Sequence, residues 1–582
     1  MSSLPQRLAR HPFLYYIALD WKKFSLGLFF VFLTNLFDAA FMPLLMKRGV
    51  DQIANQASLH ELSITCGYFL ATISVMAIFR FCWRIFWGQF HHSVAEDLRR
   101  RLFHKYSAMG PSFYQTRPTG QLMSLVTNDI NTFRMAIGPG ILVLFDAISM
   151  AAIILPVMYY FSPEWLWKTL ILLPIVPFII AKIETIYQKL FSEQQDKFSE
   201  VSGISQEIVA GIKVIKSYAQ EHNRTRLFNL KSKELQQASD KSAWVDSFFN
   251  PSMEFMVAIG SMILLLIASP GVIGGAVTIG TLVMFHRYIQ KMIWPMTALG
   301  MGVTLILQGK ASFERIIEVL KVPEDVPDSG TEEPSDFNQL KVKNLSFTYP
   351  GENRPALKSI SFEIKKGEKI GIIGSVGSGK STLVNVLCRL YQAPQDTIFF
   401  DQTPIEKIRK NHLRDLISVV PQESFLFSQS ILDNIGFGLE HPPQHDDAEK
   451  IARIAAIEKE IIAMPDRYET LLGERGLNIS GGQKQRLSLA RAMIRNPQLL
   501  ILDDSLSAVD AETAEEITQN MKSTNINRTT ITVSHRLSVI KNSDRVIVLN
   551  NGEIEAIGTE VELLAISPTY RKLHQLQGQA RA

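Results

Sequence analysis

Gly374-Ser375-Val376-Gly377-Ser378-Gly379-Lys380-Ser381-Thr382 is the stretch whose reading decides the fold. It fits G-x-x-x-x-G-K-[S/T], the pattern of a phosphate-binding loop, and it has the flanks that pattern needs. An apolar strand, Ile370–Ile373, runs into it, and an apolar helical segment follows. The glycines let backbone N–H groups wrap phosphates, and the start of the helix adds positive potential. In such a loop Lys380 reaches the β- and γ-phosphates and Ser381 takes Mg²⁺. Gly374, Ser375, Gly377, Ser378, Gly379 and Thr382 complete the cradle.

Downstream, Leu499-Leu500-Ile501-Leu502-Asp503-Asp504 is an apolar strand ending in two carboxylates. Asp503 stands where it would hold Mg²⁺ through water. Asp504 stands where a base would polarise the attacking water. Further β-branched runs, Lys369–Ile373, Thr529–Val533 and Arg545–Leu549, alternate with helical patterns, which predicts an α/β domain with a mostly parallel sheet.

Upstream the chain changes character. Lys321–Asp336 is rich in Pro, Glu, Asp and Ser and reads as a linker. Before it lie six apolar runs of roughly membrane-spanning length, about 24–46, 63–88, 141–161, 165–181, 251–268 and 279–299. The expected domains are a six-helix membrane unit over 1–320, a linker over 321–339, and a nucleotide-binding α/β domain over 340–582. Lys and Arg crowd the amino-terminal stretch and the connections after the second and fourth spans, which predicts that both termini are cytoplasmic. His11–Trp21 is short and amphipathic, suited to lying along that face. Those two connections are long but poor in Gly and Pro, so they read as helices running on into the cytoplasm as hairpins.

Over 582 residues, 46% are hydrophobic and 20% charged, with a net charge of +4. The near-zero mean hydropathy of +0.08 averages an apolar half with a polar one. The charge balance gives no pull toward nucleic acid, and three cysteines make no disulfide framework. His91-His92 and His441/His445 have no Cys or carboxylate at ligand spacing and read as surface residues rather than a metal site.

Asn478-Ile479-Ser480-Gly481-Gly482-Gln483, about 20 residues before the carboxylate strand, resembles the signature sequence of ATP-binding cassette (ABC) proteins. Val419-Val420-Pro421-Gln422 resembles their Q-loop, Ser507-Ala508-Val509-Asp510 the D-loop, Ser534-His535-Arg536 the switch histidine, and Tyr349 the aromatic that stacks on adenine. Phe113–Gln115, Pro118–Leu122 with Thr127–Asp129, and Gly211–Lys216 with Ala219–Glu221 look like the two cytoplasmic hairpins of ABC exporters. Glu474-Arg475-Gly476 resembles the exporter-specific X-loop. The resemblance implies ATP and Mg²⁺ as ligands. It gives Asp504, His535 and Gln422 catalytic roles, makes Ser381, Gln422 and Asp503 contacts to Mg²⁺, and assigns Ser480, Gly481, Gly482, Gln483 and Asp510 to a nucleotide shared between two cassettes. One membrane half and one cassette make a half-transporter, whose working unit is a dimer.

The chain departs from the family at Asp504, where most active cassettes carry Glu. Asp is one methylene shorter, and a misplacement of about 1 Å costs on the order of 10²-fold in rate. With the signature and His535 intact, this predicts a heterodimer, as in the multidrug-resistance-like branch, in which this chain's own site is degenerate and its partner carries Glu. A slow homodimer is the second reading. The expected substrate is a hydrophobic or amphipathic compound, a drug, lipid or peptide, exported or flipped between leaflets, and a bacterial inner membrane is the simplest location. A channel regulator and a soluble DNA-repair cassette fit less well, the first for want of additional domains and the second because of the six spans. Asp38, Asp146, Glu254, His286, Arg287 and Lys291 are candidate intramembrane contacts, with Phe285, Tyr288 and Trp294 adding aromatic surface.

Overall fold

The computed structural model describes residues 6–170, 175–334, 337–473, 476, 478–523 and 528–579. By its contacts the chain separates into two units, Met1–Ser107 with Thr119–Val322, and Ala108–Pro118 with Pro323–Ala582.

The first unit is helical. Five described helices are long and apolar enough to cross a membrane: Trp21–Ala54, Leu59–Ala108, Thr119–Phe161, Glu254–Ile273 and Ile279–Lys321. The run expected at 165–181 falls partly outside the described residues. Several helices outrun the apolar stretches by many turns. Leu59–Ala108 is 50 residues long and Glu221–Ile273 is 53, where about 20 would span the hydrocarbon. The excess forms the expected hairpins. Ile175–Ala210 and Glu221–Ile273 are tied by Lys197–Glu234 at 3.0 Å, Lys231–Glu200 at 2.9 Å and Arg224–Glu207 at 3.3 Å. One number rises as the other falls, so the two helices run antiparallel in a constant register. The hairpin turns at Gly211 and at Ala219, whose φ is +51°.

The first long helix widens to a π turn at Phe37–Phe41, where the Met42 N–H reaches back to the Phe37 carbonyl. Pro43 follows at once and has no N–H for the preceding turn, which is a recognised cause of such local unwinding. Asp38 sits in this widened turn.

The second unit carries ten strands: β1 Gln339–Phe347, β2 Leu357–Lys365, β3 Lys369–Gly374, β4 Ile398–Phe400, β5 Thr403–Pro404, β6 Ile417–Val420, β7 Leu499–Asp503, β8 Thr529–Val533, β9 Arg545–Asn550 and β10 Glu553–Gly558. The six-stranded sheet has the order β10-β9-β3-β8-β7-β6 and is parallel except for the β9–β10 hairpin. Its central strands are continuous apolar runs, buried along their whole length in β7, as strands covered on both faces must be. A second, antiparallel sheet, β2-β1-β4-β5, packs through Leu340, Ile360 and Phe362 onto a core shared with Ile372, Ile501 and Ile531. A separate helical core gathers Leu426, Ile435, Ala452, Leu487 and Met493.

Part of the stretch read as a linker is docked. The Thr331 and Glu332 N–H groups both donate to the Lys407 carbonyl at 2.9 Å, and Arg389 donates to the Pro327 carbonyl at 3.1 Å. The segment Ala108–Pro118, the tip of the first hairpin, is held here too. The Phe113 N–H donates to Asp325 Oδ2 at 2.9 Å, and Gln115 Nε2 donates to the Tyr391 hydroxyl at 2.7 Å.

Candidate nucleotide site

Strand β3 runs in the middle of the parallel sheet and ends at Gly374, beside Leu549 of β9. A Cβ at Gly374 would lie 2.2 Å from the Leu549 carbonyl oxygen, so only glycine lets the chain leave the strand there. The loop then turns through Gly377 and Gly379, at φ of +79° and +99°, a region that disfavours side chains. The helix Lys380–Leu387 starts at once, with Gly379 as its cap.

The loop folds around its own lysine. Lys380 Nζ donates to the carbonyls of Gly374 at 2.9 Å and Ser375 at 2.8 Å, and to Ser378 Oγ at 3.3 Å. It is a buried ammonium. Burial pushes its pKa below the ordinary lysine value, against the pull of Asp503 and Asp504. Tyr349 donates its hydroxyl to Thr382 Oγ1 at 3.0 Å and meets Tyr391 edge-on, with 5.1 Å between ring centroids. The aromatic read as an adenine platform is thus fastened to the phosphate-loop helix.

Strand β7 delivers two carboxylates with different surroundings. Asp503 is buried and accepts from Ser381 Oγ at 3.5 Å. Burial pushes its carboxyl up and Asp504 adds to this, while Ser381, Lys380 and His535 oppose. A buried carboxylate facing a helix-start hydroxyl is a pair of hard oxygen donors, which suits Mg²⁺. Asp504 is half-buried, in the left-handed region at φ +47°. Its N–H donates to the Val533 carbonyl at 2.8 Å, and its Oδ1 accepts from Ser534 Oγ at a long 3.4 Å. His535 follows, half-buried, and Gln422 lies exposed just beyond β6.

The signature lies at another helix start. Ser480 caps Gly481–Ile494 and Gln483 closes a reciprocal capping box, with bonds of 3.2 and 2.8 Å. Gln483 Nε2 also donates to Glu460 at 2.7 Å. Gly481 and Gly482 keep the first turn bare, and a Cβ at Gly482 would lie 3.1 Å from the Ala508 carbonyl oxygen. Among the described residues, no hydrogen bond or ion pair joins Ser480–Gln483 to the phosphate loop of the same chain. Asp510 is exposed and caps its own helix, accepting from the Thr513 N–H at 2.9 Å.

Sequence reading did not single out the residues that brace these loops. Gln485 clasps the D-loop, donating to Ser507 Oγ at 3.1 Å and accepting from the Ala508 N–H at 2.9 Å, and Arg536 donates to the Ser507 carbonyl at 2.8 Å. Gln577 holds the segment around His535 from 42 residues away. No local pattern marks such residues, because their partners are distant in sequence. Glu474 and Arg475 of the expected X-loop lie outside the described residues.

In the membrane unit, Asp38 and Lys291 form an ion pair at 2.5 Å. Asp146 is held by neutral donors, Asn35 Nδ2 at 2.8 Å and Trp294 Nε1 at 2.7 Å. All of these line a cavity of about 450 Å³ together with Arg80 and Trp83. Phe285 and Tyr288 are buried in the helix core, and Glu254 is exposed. His286 bonds Ser261 at 2.9 Å and, with Arg287, lines a neighbouring cavity.

Fold and site together define a polytopic membrane unit fused to a phosphate-loop ATPase. Residues 24–296 match the model of the ABC transporter transmembrane region, and 357–507 match the model described as ABC transporter. The chain is 34% identical to the probable multidrug resistance ABC transporter ATP-binding/permease protein YheI of Bacillus subtilis, covering 96% of this chain and 95% of that one. It is 32% identical to the multidrug resistance-like ATP-binding protein MdlA of Escherichia coli, covering 89% of each. A solved bacterial Atm1-family ABC exporter with ATP bound shares the fold, with a TM-score of 0.77 at 22% identity over 96% of this chain and 99% of that one. The chain belongs to the ABC transporters, as a multidrug-resistance-like half-transporter with its membrane and ATPase parts on one polypeptide, and it is an ATPase coupled to transport.

Proposed function

We infer that this chain works as one half of a dimeric exporter of hydrophobic or amphipathic compounds, and that the ATP site built on its own Lys380 turns over slowly. In this reading Lys380 and the N–H groups of Gly374–Thr382 hold the phosphates, Tyr349 stacks on the adenine, and Ser381, Asp503 and Gln422 hold Mg²⁺. The metal, when bound, neutralises charge developing on the phosphate oxygens. Asp504 polarises the attacking water, and His535 holds the terminal phosphate in line with it. Ser480–Gln483 and Asp510 serve a nucleotide on the partner chain, since among the described residues they have no hydrogen bond or ion pair to their own phosphate loop. The termini and ATPase unit lie on the cytoplasmic side of a bacterial inner membrane. The multidrug names of the relatives support a drug-like cargo. The cavity with its Asp38–Lys291 pair and its Trp83 and Trp294 rings suits a compound with both polar and apolar faces.

The observation that carries the slow-site reading is Asp504. The backbone is pinned to Val533 in a left-handed conformation, and the short carboxylate takes a long 3.4 Å bond from Ser534. A side chain one methylene short cannot regain its reach by a backbone shift there. The intact signature then completes a competent site on a different partner chain that carries Glu.

The test is to purify the chain alone in lipid nanodiscs and measure ATP hydrolysis. Negligible turnover, restored when a Glu-bearing partner half-transporter is co-expressed, supports the unequal pair. Robust turnover by the homodimer, abolished by Asp504→Asn, overturns it in favour of the homodimer.

A further inference from the structure

His535 stands in a three-residue segment, Ser534–Arg536, between the end of β8 and the short helix Leu537–Ile540. The inner end of the segment is fixed by the sheet. The Ser534 N–H donates to the Ile372 carbonyl at 3.1 Å, and Ser534 Oγ accepts from the Arg536 N–H at 3.0 Å. The outer side is held by Arg536, whose guanidinium donates to the Ser507 carbonyl, and by one side chain from the carboxy-terminal helix Pro568–Gln579 that bonds the backbone twice. Gln577 Nε2 donates to the His535 carbonyl at 2.7 Å, and Gln577 Oε1 accepts from the Leu537 N–H at 2.9 Å. One amide spans the switch segment, using its donor on one side of Arg536 and its acceptor on the other.

The helix that carries this amide is itself held rigidly. At its start, the Glu555 carboxylate on β10 accepts from Ser567 Oγ and Thr569 Oγ1 at 2.5 Å each, from the Thr569 N–H at 3.0 Å, and from Asn550 Nδ2 at 2.9 Å. Along its length, Tyr570 is buried and Leu573 half-buried against Ile373, Ile540 and Val548. Ile373 belongs to the strand that leads into the phosphate loop. Tyr570, Leu573 and Gln577 follow one another at intervals of three and four and so share a helix face. Packing of the first two aims the third.

We propose that Gln577 is a positioning residue for ATP hydrolysis: it fixes the backbone on both sides of His535 and so makes the switch histidine depend on docking of the carboxy-terminal helix. This rests on the reading of His535 given above. Loss of the amide leaves the His535 carbonyl and the Leu537 N–H to water. The histidine then wanders, while the phosphate loop and Tyr349, neither of which bonds Gln577, keep their hold on the nucleotide.

The experiment uses the full-length transporter in nanodiscs and azido-ATP radiolabelled at the α-phosphate. Cross-linking in the cold without turnover reads ATP affinity at this chain. The rate of vanadate-dependent trapping of the labelled diphosphate on this chain reads hydrolysis at its own site. Gln577→Ala is expected to slow trapping on the order of 10-fold with half-saturation for binding unchanged. Gln577→Glu fills the same space but sets an acceptor against the His535 carbonyl; it is expected to slow trapping similarly, and it carries the test if the alanine variant misfolds. Leu576→Ala, at an exposed neighbour, is expected to behave as wild type. In a His535→Ala background, Gln577→Glu should slow trapping no further, because the two act as one unit. Normal trapping by Gln577→Glu beside a slow His535→Ala overturns the proposal and leaves the reading of His535 standing. So does a Gln577→Glu effect that persists undiminished in the His535→Ala background. Normal trapping by His535→Ala overturns the reading of His535 itself.

Discussion

Asp504→Glu adds one methylene at the end of β7, which advances the carboxylate by about 1.5 Å along the side chain. Nothing else in the site needs to move, because the residue's N–H stays bonded to the Val533 carbonyl at 2.8 Å. The long 3.4 Å bond from Ser534 is weak and readily exchanged. If about 1 Å of misplacement costs on the order of 10²-fold, restoring the reach should raise kcat by about that factor, equivalent to about 2.7 kcal/mol of transition-state stabilisation. KM for ATP should change little, since the loop around Lys380 is untouched. Stability should move the other way. Asp tolerates the left-handed φ of +47° better than Glu does, so the variant should lose up to about 1 kcal/mol. The assay is steady-state hydrolysis by the chain purified alone in nanodiscs, with thermal unfolding measured in parallel. Faster turnover in a slightly less stable protein is the expected signature. If kcat of the glutamate variant stays within about threefold of wild type, far short of the predicted factor, the argument from reach is refuted.

Gly379→Ala places a Cβ 2.8 Å from the Ala356 carbonyl oxygen at a φ of +99°. ATP affinity, read by cold azido-ATP labelling, should fall by more than about 10-fold. Gly280→Ala puts a Cβ 2.2 Å from the Lys47 carbonyl oxygen and 2.5 Å from Asp51 Oδ1, which accepts from the Gly280 N–H at 2.8 Å. Tryptophan-detected unfolding of the membrane unit should shift to lower temperature, with ATP binding intact. For Glu555, burial pushes the carboxyl up, but the bonds from Ser567, Thr569 and Asn550 more than offset this and hold it below the ordinary range. A depressed folded-state pKa contributes stability that is full above the unfolded value of about 4.3 and is lost as pH falls through the folded value. Glu555→Gln should therefore flatten the pH dependence of unfolding below about pH 4.5, and an unchanged slope would remove Glu555 as the cause.

The phosphate loop, the carboxylate strand and the signature could be read directly because each is a short run whose chemistry depends on adjacent residues. The glycines before Lys380 and the reciprocal cap of Ser480 and Gln483 are local geometry. The hairpin Ile175–Ala210 with Glu221–Ile273 could be anticipated from its lack of turn residues, and its breaks at Gly211 and Ala219 fall in the Gly211–Lys216 and Ala219–Glu221 runs that resemble an exporter hairpin. The intramembrane charges were visible as anomalies, but not their partners. That Lys291 neutralises Asp38 while Asp146 takes amide and indole donors depends on helices 111 to 253 residues apart.

Motifs of adjacent residues set the class of protein and the chemistry of its loop, since backbone conformation over a few residues follows from local sterics and hydrogen bonding. Tertiary packing alone decided what holds those motifs in place. The docking of Ala108–Pro118 through Asp325 and Tyr391, the clasp of Gln485 on Ser507 and Ala508, and the grip of Gln577 on His535 each join residues far apart in the chain. Bonds of that kind leave no periodic or local trace. They form only because the sheet and helices have already brought their ends within hydrogen-bonding reach.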